Sequence, residues 1–242
     1  GYTLFVIFKQ TRLAEIQKDF IDNMTHEFKT PIAAISLSSE VLMSDEIAAD
    51  SVRLKQYARI VEKESMRLQH QVERVLQMAD LDQERVELSK GIEDLNGIIH
   101  EVLASVMLSL EEKGGAINFQ PEEECLDLNL DKVHFTNIIY NLVDNAIKYG
   151  GEIPKIEIST KVSGSRCFFV ITDNGKGIHV RDYSLIFEKF YRVSTGDIHD
   201  VKGFGLGLYY VKSIVEAHGG SISVNSSKEG TRFVISIPMS QT

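Results

Sequence analysis

The sequence predicts a chain of two parts: an all-helical hairpin, and then an α+β sandwich with helices on one face of a mixed sheet. Two long stretches near the N-terminus carry apolar residues at helical spacing, and a short polar break at 44–50 separates them. The rest of the chain alternates short β-branched runs with helical stretches. With 43% hydrophobic residues among 242 positions, both parts have enough apolar side chains for a core.

The two long helices are predicted at about 9–43 and 51–82. The apolar stripe of the first contains Leu13, Ile16, Phe20, Met24 and Phe28. That of the second contains a seven-residue repeat, with two further members: Leu54, Val61, Leu68 and Val75, then Tyr57 and Met78. A short connection between such helices gives an antiparallel hairpin. Because a hairpin buries two stripes poorly alone, we expect a second copy to complete a four-helix bundle; packing onto the rest of the chain is the competing arrangement.

The first eight residues are uncharged and mostly apolar, and Lys9 and Arg12 follow them directly. A bilayer-spanning helix needs about 20 residues, so this stretch is too short to span a membrane. Basic residues are typical of the cytoplasmic end of a membrane helix. We therefore expect the end of a transmembrane helix here, with a short buried strand or an ordinary helix end as the alternative.

The net charge and the cysteines exclude several classes of function. A net charge of −9 leaves no basic surplus for phosphates, so we do not expect nucleic acid as the main partner. Cys125 and Cys167 fit neither a metal-binding spacing nor a disulfide framework. We expect both in the core of a protein from a reducing compartment.

The second part of the chain is predicted to contain seven strands and three helices. The strands are expected at about 85–89, 116–120, 126–130, 155–162, 166–172, 221–225 and 231–237. The helices are expected at about 94–112 and 131–148, and from about 205 to just before 219. Residues 173–202 are expected to be irregular.

His26 differs from its neighbours in the first helix because it points away from the apolar stripe. At about 100° per residue, it lies roughly 200° from both Met24 and Phe28. Glu27 follows it directly. An exposed imidazole beside a carboxylate suits nucleophilic or proton-transfer chemistry, since the carboxylate can fix the tautomer or accept a proton. An ordinary surface histidine is the alternative at this point.

A polar face on the helix that begins near Asp131 is the first of three features that point to a nucleotide. Asn141, Asn145, Lys148 and Tyr149 share that face. An Asn oxygen suits Mg²⁺, which prefers oxygen ligands, and Lys148 suits phosphate. Taken alone, such a face is also compatible with simple solvation.

The second feature is Asp173 at the end of a strand, followed by Gly175 and Gly177. An ionised carboxylate only accepts hydrogen bonds, so Asp173 could accept the exocyclic amino proton of adenine and disfavour the carbonyl of guanine. The glycines allow positive φ and a close approach of the backbone. A plain Asp-Asn-Gly turn is the alternative.

The third feature is a glycine-rich stretch that leads into a helix, with Gly203, Gly205 and Gly207 alternating with apolar residues. Backbone amides at a helix start favour an anion such as phosphate. The GxxxxGK[ST] pattern of P-loops is missing, and GxGxxG fails because Leu208 occupies its last position. The sequence therefore supports neither a Walker-type NTPase nor a Rossmann dehydrogenase.

Together, these motifs resemble those of the sensor histidine kinases of two-component signalling over nearly the whole chain. His26-Glu-Phe-Lys-Thr-Pro31 is similar to the H box of that family. Residues 141–149 are similar to the N box, 173–177 to the first glycine box and 186–192 to the F box. Residues 203–208 are similar to the second glycine box, and 230–233 to the last short glycine motif. Lys29 and Ile32 stand where Arg and Leu are commoner, which preserves charge and apolar character. Five boxes in this order are specific to the family.

The resemblance implies three regions: the end of a transmembrane helix with a signalling linker at 1–18, a dimerisation and histidine-phosphotransfer hairpin at 19–84, and a catalytic ATP-binding domain of the GHKL (Bergerat) type at 85–242. It implies a homodimer through the hairpin and a response-regulator receiver domain as partner. It also implies the cytoplasmic part of a receptor anchored in the inner or plasma membrane through an N-terminal portion.

The resemblance further implies a role for each site residue, with ATP as substrate and Mg²⁺ as cofactor. In the hairpin, His26 would be the phosphoacceptor and Glu27 the base that takes its proton. Thr30 would orient water when the kinase dephosphorylates its regulator. Asn145 would hold Mg²⁺, with Asn141 nearby, and Lys148 would contact phosphate. Tyr149 would pack near the adenine, and Asp173 would bind its amino group. Arg192 would reach the γ-phosphate. The nucleotide would be framed by Gly175, Gly177, Gly203, Gly205, Leu206, Gly207 and Leu208, beside a mobile lid at 193–202.

Three other interpretations remain open on the sequence. A GHKL ATPase that uses ATP as a conformational clamp explains the ATP motifs but leaves His26 and Glu27 without a role. A degenerate kinase that only binds nucleotide requires a missing site residue, and none is missing. A serine kinase would use the same ATP site but would not need its own exposed histidine.

Overall fold

The computed structural model describes residues 2–44, 47, 50–81, 87–193 and 205–239, without the side chains of 2–17, 19, 23, 70–71 and 73–81. The chain divides into two compact units. One contains the two long helices, and the other contains every later element; we call them the helical unit and the sheet unit. The predicted boundary at 84–85, Gly203 and most of the expected lid lie outside the described residues.

The helical unit consists of α1 (Tyr2–Leu42) and α2 (Ser51–Leu81), which pack against each other. The Asp50 carboxylate starts α2 by accepting the backbone N–H groups of Val52 and Arg53, each at 3.1 Å. Nη2 of Arg67 on α2 lies 3.9 Å from Oε2 of Glu27 on α1. Because these two residues lie about equally far from the turn, their contact shows that the helices are antiparallel, as predicted. α1 continues through Pro31.

No helix among the described residues carries an apolar stretch long enough to cross a membrane. The apolar residues that follow Gly1 are the first turns of α1, which continues past Lys9 without a break.

The sheet unit has seven strands and three helices over its described residues. The strands are β1 (Gly91–Asp94), β2 (Ala116–Pro121), β3 (Asp127–Leu130), β4 (Lys155–Ser163), β5 (Arg166–Asp173), β6 (Ser221–Ser227) and β7 (Gly230–Pro238). The helices are α3 (Leu95–Glu111), α4 (Lys132–Tyr149) and α5 (Gly207–Ala217). Two single 3-10 turns, Val180–Asp182 and Leu185–Phe187, lie in the stretch predicted to be irregular.

Five strands form a mixed sheet in the order β2-β4-β5-β7-β6, with β2 and β4 parallel and the other neighbours antiparallel. β1 and β3 pair separately. In β4, buried residues such as Ile158 alternate with exposed ones, and the register aligns Ile158 with Ile171 of β5 and Ile171 with Phe233 of β7. One sheet face is therefore apolar and packs against the helices. This confirms the predicted mixed sheet with helices on one face.

Two expectations were wrong in detail. The described part of the stretch predicted as a strand at 85–89 is irregular, and the strand lies at Gly91–Asp94. Pairing with β3 sets this position, because the Asp94 carboxylate both caps α3 and accepts the Leu126 N–H at 2.9 Å. Cys167 is buried as expected, but Cys125 is exposed because it lies in the loop before β3.

Asp131 joins three distant segments of the sheet unit. Its Oδ1 accepts the His134 N–H at 3.1 Å and so caps α4, while its Oδ2 accepts the Ser89 N–H at 2.7 Å. Its own N–H donates to Nε2 of the buried His218 at 3.1 Å, and Nδ1 of that ring contacts the Ile214 carbonyl at 2.8 Å. These partners fix the neutral Nδ1–H tautomer, and burial lowers the pKa of His218.

Candidate active site

His26 is exposed on α1, whereas Met24 and Phe28 on either side are half-buried, as the helical spacing predicts. Glu27 is more enclosed, and Nη2 of Arg67 on α2 lies 3.9 Å from its Oε2. Thr30, one turn later, donates its hydroxyl to the His26 carbonyl at 3.3 Å. The helical unit thus presents an imidazole beside a carboxylate, and α2 contributes a cation that sequence reasoning missed.

Asn141 on α4 is oriented by its own helix. Its Nδ2 donates to the Asn137 carbonyl at 2.8 Å, so the amide nitrogen is engaged. Its Oδ1 lies against the start of α5, where a Cβ added to Gly207 would be 2.8 Å away. A side chain at position 207 would therefore crowd this oxygen. The arrangement presents an amide oxygen at the N-terminus of α5.

Lys148 lies on the same face of α4, with the half-buried Asn145 one turn before Tyr149. The Lys148 ammonium donates to Oδ2 of Asp144 at 2.6 Å, and both side chains are partly enclosed. Sequence reasoning missed Asp144, although its position four residues before Lys148 is the usual spacing for a helical ion pair. Asp144 thus holds the cation predicted to contact phosphate.

The first glycine loop rests on the C-terminal end of α4. A Cβ at Gly175 would overlap the backbone oxygen of Tyr149, so only glycine allows this approach. Although Tyr149 is 46% exposed, burial of the rest of its ring raises the pKa of its phenol, and the neighbouring Arg192 guanidinium opposes that increase. The charge of Arg192 thus acts on a side chain of the α4 face that carries the other predicted residues.

Asp173 ends β5, and its carboxylate is held by two backbone groups. Oδ1 accepts the Gly175 N–H at 2.8 Å and the Thr231 N–H at 3.3 Å. Burial raises the pKa of Asp173, and these two hydrogen bonds oppose the increase. Because both bonds are made to Oδ1, Oδ2 keeps its capacity to accept a hydrogen bond from a ligand.

Two of the described glycines predicted to frame the nucleotide have conformations that other residues rarely adopt. Gly177 has φ +76°, and a Cβ there would overlap the carbonyl of Ser227. Gly205 has φ +68°, accepts the Phe190 N–H at 3.0 Å, and would place a Cβ 2.8 Å from the Phe190 oxygen. These contacts fix the loops on both sides of the site.

The N-terminus of α5 is suited to an anion. Leu206 is buried at the cap position and supplies no side-chain hydrogen bond to the first amides, and Gly207 and Leu208 form the first turn. Uncapped amides and the helix dipole favour phosphate at such an end. Within the sheet unit, α4 approaches Gly175 through Tyr149 and Gly207 through Asn141. His26, Glu27 and Thr30 belong to the helical unit.

Two family models match the chain. The one described as "Histidine kinase-, DNA gyrase B-, and HSP90-like ATPase" matches residues 130–241. The one described as "His Kinase A (phospho-acceptor) domain" matches residues 16–84. The first match contains α4, the glycine loops and α5, and the second contains His26, Glu27 and Thr30.

Similar proteins include "Sensor protein RprX" of Bacteroides fragilis (strain YCH46), which is 39% identical over 241 residues. That alignment covers 98% of this chain and 46% of RprX, so the chain spans about half the length of this curated relative. Among solved structures, full-length ShkA with AMPPNP aligns with TM-score 0.68 and 24% identity, over 93% of this chain and 46% of ShkA.

Histidine kinase ThkA, solved with the response regulator protein TrrA, aligns with TM-score 0.61 and 24% identity, over 99% of this chain and 66% of ThkA. At these identities both structures support the fold. The two family matches follow each other in the order that the sequence motifs indicate, and RprX extends the likeness over 98% of the chain. The chain therefore belongs to the sensor histidine kinases of two-component systems.

Proposed function

We propose that this protein uses ATP to phosphorylate its own His26 and then passes the phosphoryl group to an aspartate of a response regulator. The observation that carries the proposal is the presence, in one chain, of an exposed histidine beside a carboxylate and of a site suited to adenine and phosphate. RprX, the curated relative, is described as a sensor protein, which agrees with a role in signal transduction.

ATP is the substrate that the sheet unit fits best. Oδ2 of Asp173 would accept a hydrogen bond from the adenine amino group. Guanine would present a carbonyl there instead, which is itself an acceptor. The first turn of α5, Lys148 and Arg192 would contact the phosphates through backbone amides and cations. Gly175, Gly177, Gly205 and Gly207 lie where a Cβ would strike neighbouring groups, which supports close packing of the loops around a ligand.

Mg²⁺ is the expected cofactor, and the donors present are compatible with it. Asn145 would hold the ion, with Asn141 nearby, because amide oxygens are ligands that a hard cation accepts. The contact of Asn141 Nδ2 with the Asn137 carbonyl leaves the oxygen of that amide for the site. When bound, the ion would neutralise phosphate charge.

The transfer itself requires a nucleophile, a proton acceptor and an aligned phosphate. One ring nitrogen of His26 attacks the γ-phosphorus in line; the P–N bond forms as the bond to the ADP oxygen breaks. Glu27 takes the proton from the other ring nitrogen as the P–N bond forms, so the product is a neutral phosphohistidine and not a phosphoimidazolium cation. Arg192 and Lys148 stabilise the phosphate charge, so catalysis is mainly positioning and electrostatics.

The phosphohistidine is then the donor to the regulator. Its P–N bond breaks as a carboxylate oxygen of the acceptor aspartate bonds to phosphorus. The ring takes back a proton in this step, which returns His26 to its starting form. The complex of ThkA with TrrA supports a docked response regulator as the partner. We further propose that Thr30 orients water for dephosphorylation of that regulator, since its hydroxyl lies one turn from His26. A Thr30→Ala variant with an unchanged dephosphorylation rate would contradict this role.

The proposed organisation follows the same logic. Residues 1–18 would be the end of a transmembrane helix with a signalling linker, 19–84 the dimerisation and phosphotransfer domain, and 85–242 the ATP-binding domain. The protein would act as a homodimer in the cytoplasm, anchored in the inner or plasma membrane through an N-terminal portion. Large apolar side chains exposed on both long helices support the dimer.

The test is incubation of the purified protein with γ-labelled ATP and Mg²⁺, followed by acid and alkali washes. We expect alkali-stable, acid-labile label on the wild type and none on His26→Gln. His100→Gln is the matched control, because His100 is also exposed but lies in the sheet unit. ATP hydrolysis without protein label would instead support the clamp ATPase, and nucleotide binding alone would support a degenerate kinase.

A further inference from the structure

Ser226, near the end of β6, contacts the first glycine loop and the start of β7 at once. Its Oγ accepts the Ile178 N–H at 2.8 Å and lies 2.9 Å from both the Gly230 carbonyl and Oγ1 of Thr231. Ile178 directly follows Gly177, whose backbone packs against the Ser227 carbonyl. One hydroxyl therefore ties the loop to the β6–β7 hairpin.

Tyr183 holds the same residue from the other side. Its hydroxyl donates to the Ser226 carbonyl at 2.6 Å and accepts the Ser226 N–H at 2.7 Å. β6 is the last strand of the sheet, so these two backbone groups would otherwise face the sheet edge. The phenol thus replaces a neighbouring strand at this one position and fixes the backbone of Ser226.

The hydroxyl of Ser226 also determines how the Thr231 hydroxyl is oriented. The Ser226 hydroxyl has a single proton to donate. When it donates that proton to the Gly230 carbonyl, the Thr231 hydroxyl must donate its own to Oγ of Ser226. Thr231 is buried, and its backbone N–H holds Oδ1 of Asp173 at 3.3 Å. Gly230 packs against the backbone of the same aspartate, since a Cβ there would overlap the Asp173 carbonyl. The position of the Asp173 carboxylate therefore depends on the Ser226 contacts.

We propose that Ser226 and Tyr183 are positioning residues that set the preference of the site for adenine over guanine. The inference rests on the proposed function, since it assigns the selectivity of the same nucleotide site. Neither residue needs to touch the nucleotide. Ser226 fixes the two groups that hold Oδ1 of Asp173, namely the glycine loop and Thr231, and Tyr183 fixes Ser226. Together they aim Oδ2 at the adenine amino group.

The experiment measures the dissociation constants of Mg·ATP and Mg·GTP for the full chain and for Ser226→Ala. We expect ATP binding to weaken about tenfold, because the Ile178 N–H and the Thr231 hydroxyl each lose a partner. GTP binding, which does not use the carboxylate, should stay the same, so the ratio of the two constants falls by the same factor. The autophosphorylation rate at saturating ATP should be unchanged, since the transferred phosphate is held elsewhere.

Three further variants separate positioning from folding. Ser226→Thr keeps the hydroxyl and should restore the wild-type ratio. Tyr183→Phe removes only the second hydroxyl and should lower the ratio about threefold, because water can partly replace it at a sheet edge. Ser223→Ala, at an exposed site on the same strand, should have no effect. A partly unfolded variant would lose both affinities together and leave the ratio intact.

The outcomes distinguish the inference from the proposed function. If the wild type binds ATP selectively, and Ser226→Ala and Tyr183→Phe keep its ratio despite a lower melting temperature, the two residues are only structural and the inference is wrong. If the wild type binds neither nucleotide, the proposed function fails and the inference with it. A lowered ratio that Ser226→Thr restores would establish the inference.

Discussion

The two units of the chain differ in how completely they bury their own apolar surface. The sheet unit has a closed core in which Ile99, Ile138 and Val143 have no exposed surface. Among the described side chains of the helical unit, Ile47 is the only large apolar one that is buried, and Met43 and Val52 are 78% and 74% exposed. The difference indicates that the sheet unit folds around a core of its own, whereas the two long helices need another surface to cover them.

The exposed residues of α1 also divide the helix into two flanks. Ile21 and Ile32 are eleven residues apart and so lie nearly above one another. His26 and Leu37, also eleven residues apart, lie on a flank roughly 140° away, on the other side of the half-buried stripe. Under the proposed function, we expect the flank with Ile21 to meet a second copy of the helical unit and the flank with His26 to meet the regulator.

The largest effect should come from the sheet unit alone. Replacing Asp173 by Asn removes the negative charge and leaves either an uncharged amide oxygen or an NH₂ donor at the position of Oδ2. ATP affinity should therefore fall about 100-fold. Calorimetric titration of the full chain with Mg·ATP measures this loss. Asp127→Asn, an exposed aspartate on β3, is the control and should bind normally. Equal affinity for Asp173→Asn and wild type would mean that adenine is recognised elsewhere.

The same substitution should stabilise the fold in a pH-dependent way. Because burial raises the pKa of Asp173 above its ordinary value of 3.8, its ionised form lowers stability at neutral pH. The unfolding free energy of Asp173→Asn should exceed that of wild type at pH 7, and the gap should close as the pH falls through the raised pKa towards 3.8. Denaturant titrations from pH 7 to below 4 measure the gap; a gap that widens at low pH would contradict it.

An intermediate effect is expected in the helical unit. Ile21→Glu places a charge on the flank proposed to meet a second copy, so the dimer should dissociate at least about tenfold more readily. Leu37→Glu adds the same charge on the other flank and should leave the dimer intact but slow transfer to the regulator. Sedimentation analysis and transfer assays measure the two effects. If Leu37→Glu dissociates the dimer and Ile21→Glu does not, the two flanks are assigned the wrong way round.

The smallest effect concerns the ion pair on α4. Asp144→Asn removes the carboxylate that holds Lys148, so the ammonium should become available to phosphate and ATP affinity should rise about twofold. The gain should shrink at high salt, because screening weakens both attractions. Titrations at two salt concentrations test it, with Lys148→Met as the variant in which Asp144→Asn should make no further difference. A loss of affinity would show that Asp144 itself contributes to binding.

Local patterns in the sequence were sufficient to predict most elements. α3, α4 and α5 begin within about two residues of their predicted starts, because Asp94 and Asp131 are strong caps and the apolar spacing is regular. The contacts of Gly175 and Gly207 with α4 were not predicted, but the glycines themselves were. These features depend on neighbours in sequence, so a single sequence contains them.

The contacts that aim the Asp173 carboxylate could not be predicted in the same way. Thr231 is 58 residues from Asp173, and Ser226 is 48 residues from Ile178. Only the strand register brings them together, and the register depends on the whole sheet. The displaced position of β1 has the same origin, because its partner β3 comes after an entire helix.

The junction at Asp131 has a consequence for the kinetics of amide exchange. Ser89 is tied to the cap of α4 only a few residues after the chain enters the sheet unit, and His218 ties that cap to the end of α5. Since Ser89, His134 and His218 all bond to Asp131, we expect the three contacts to open together. The amides of Ser89, Asp131 and His134 should therefore exchange with deuterium at one common rate, and that rate would mark Ser89 as the point where the chain joins the cooperative fold.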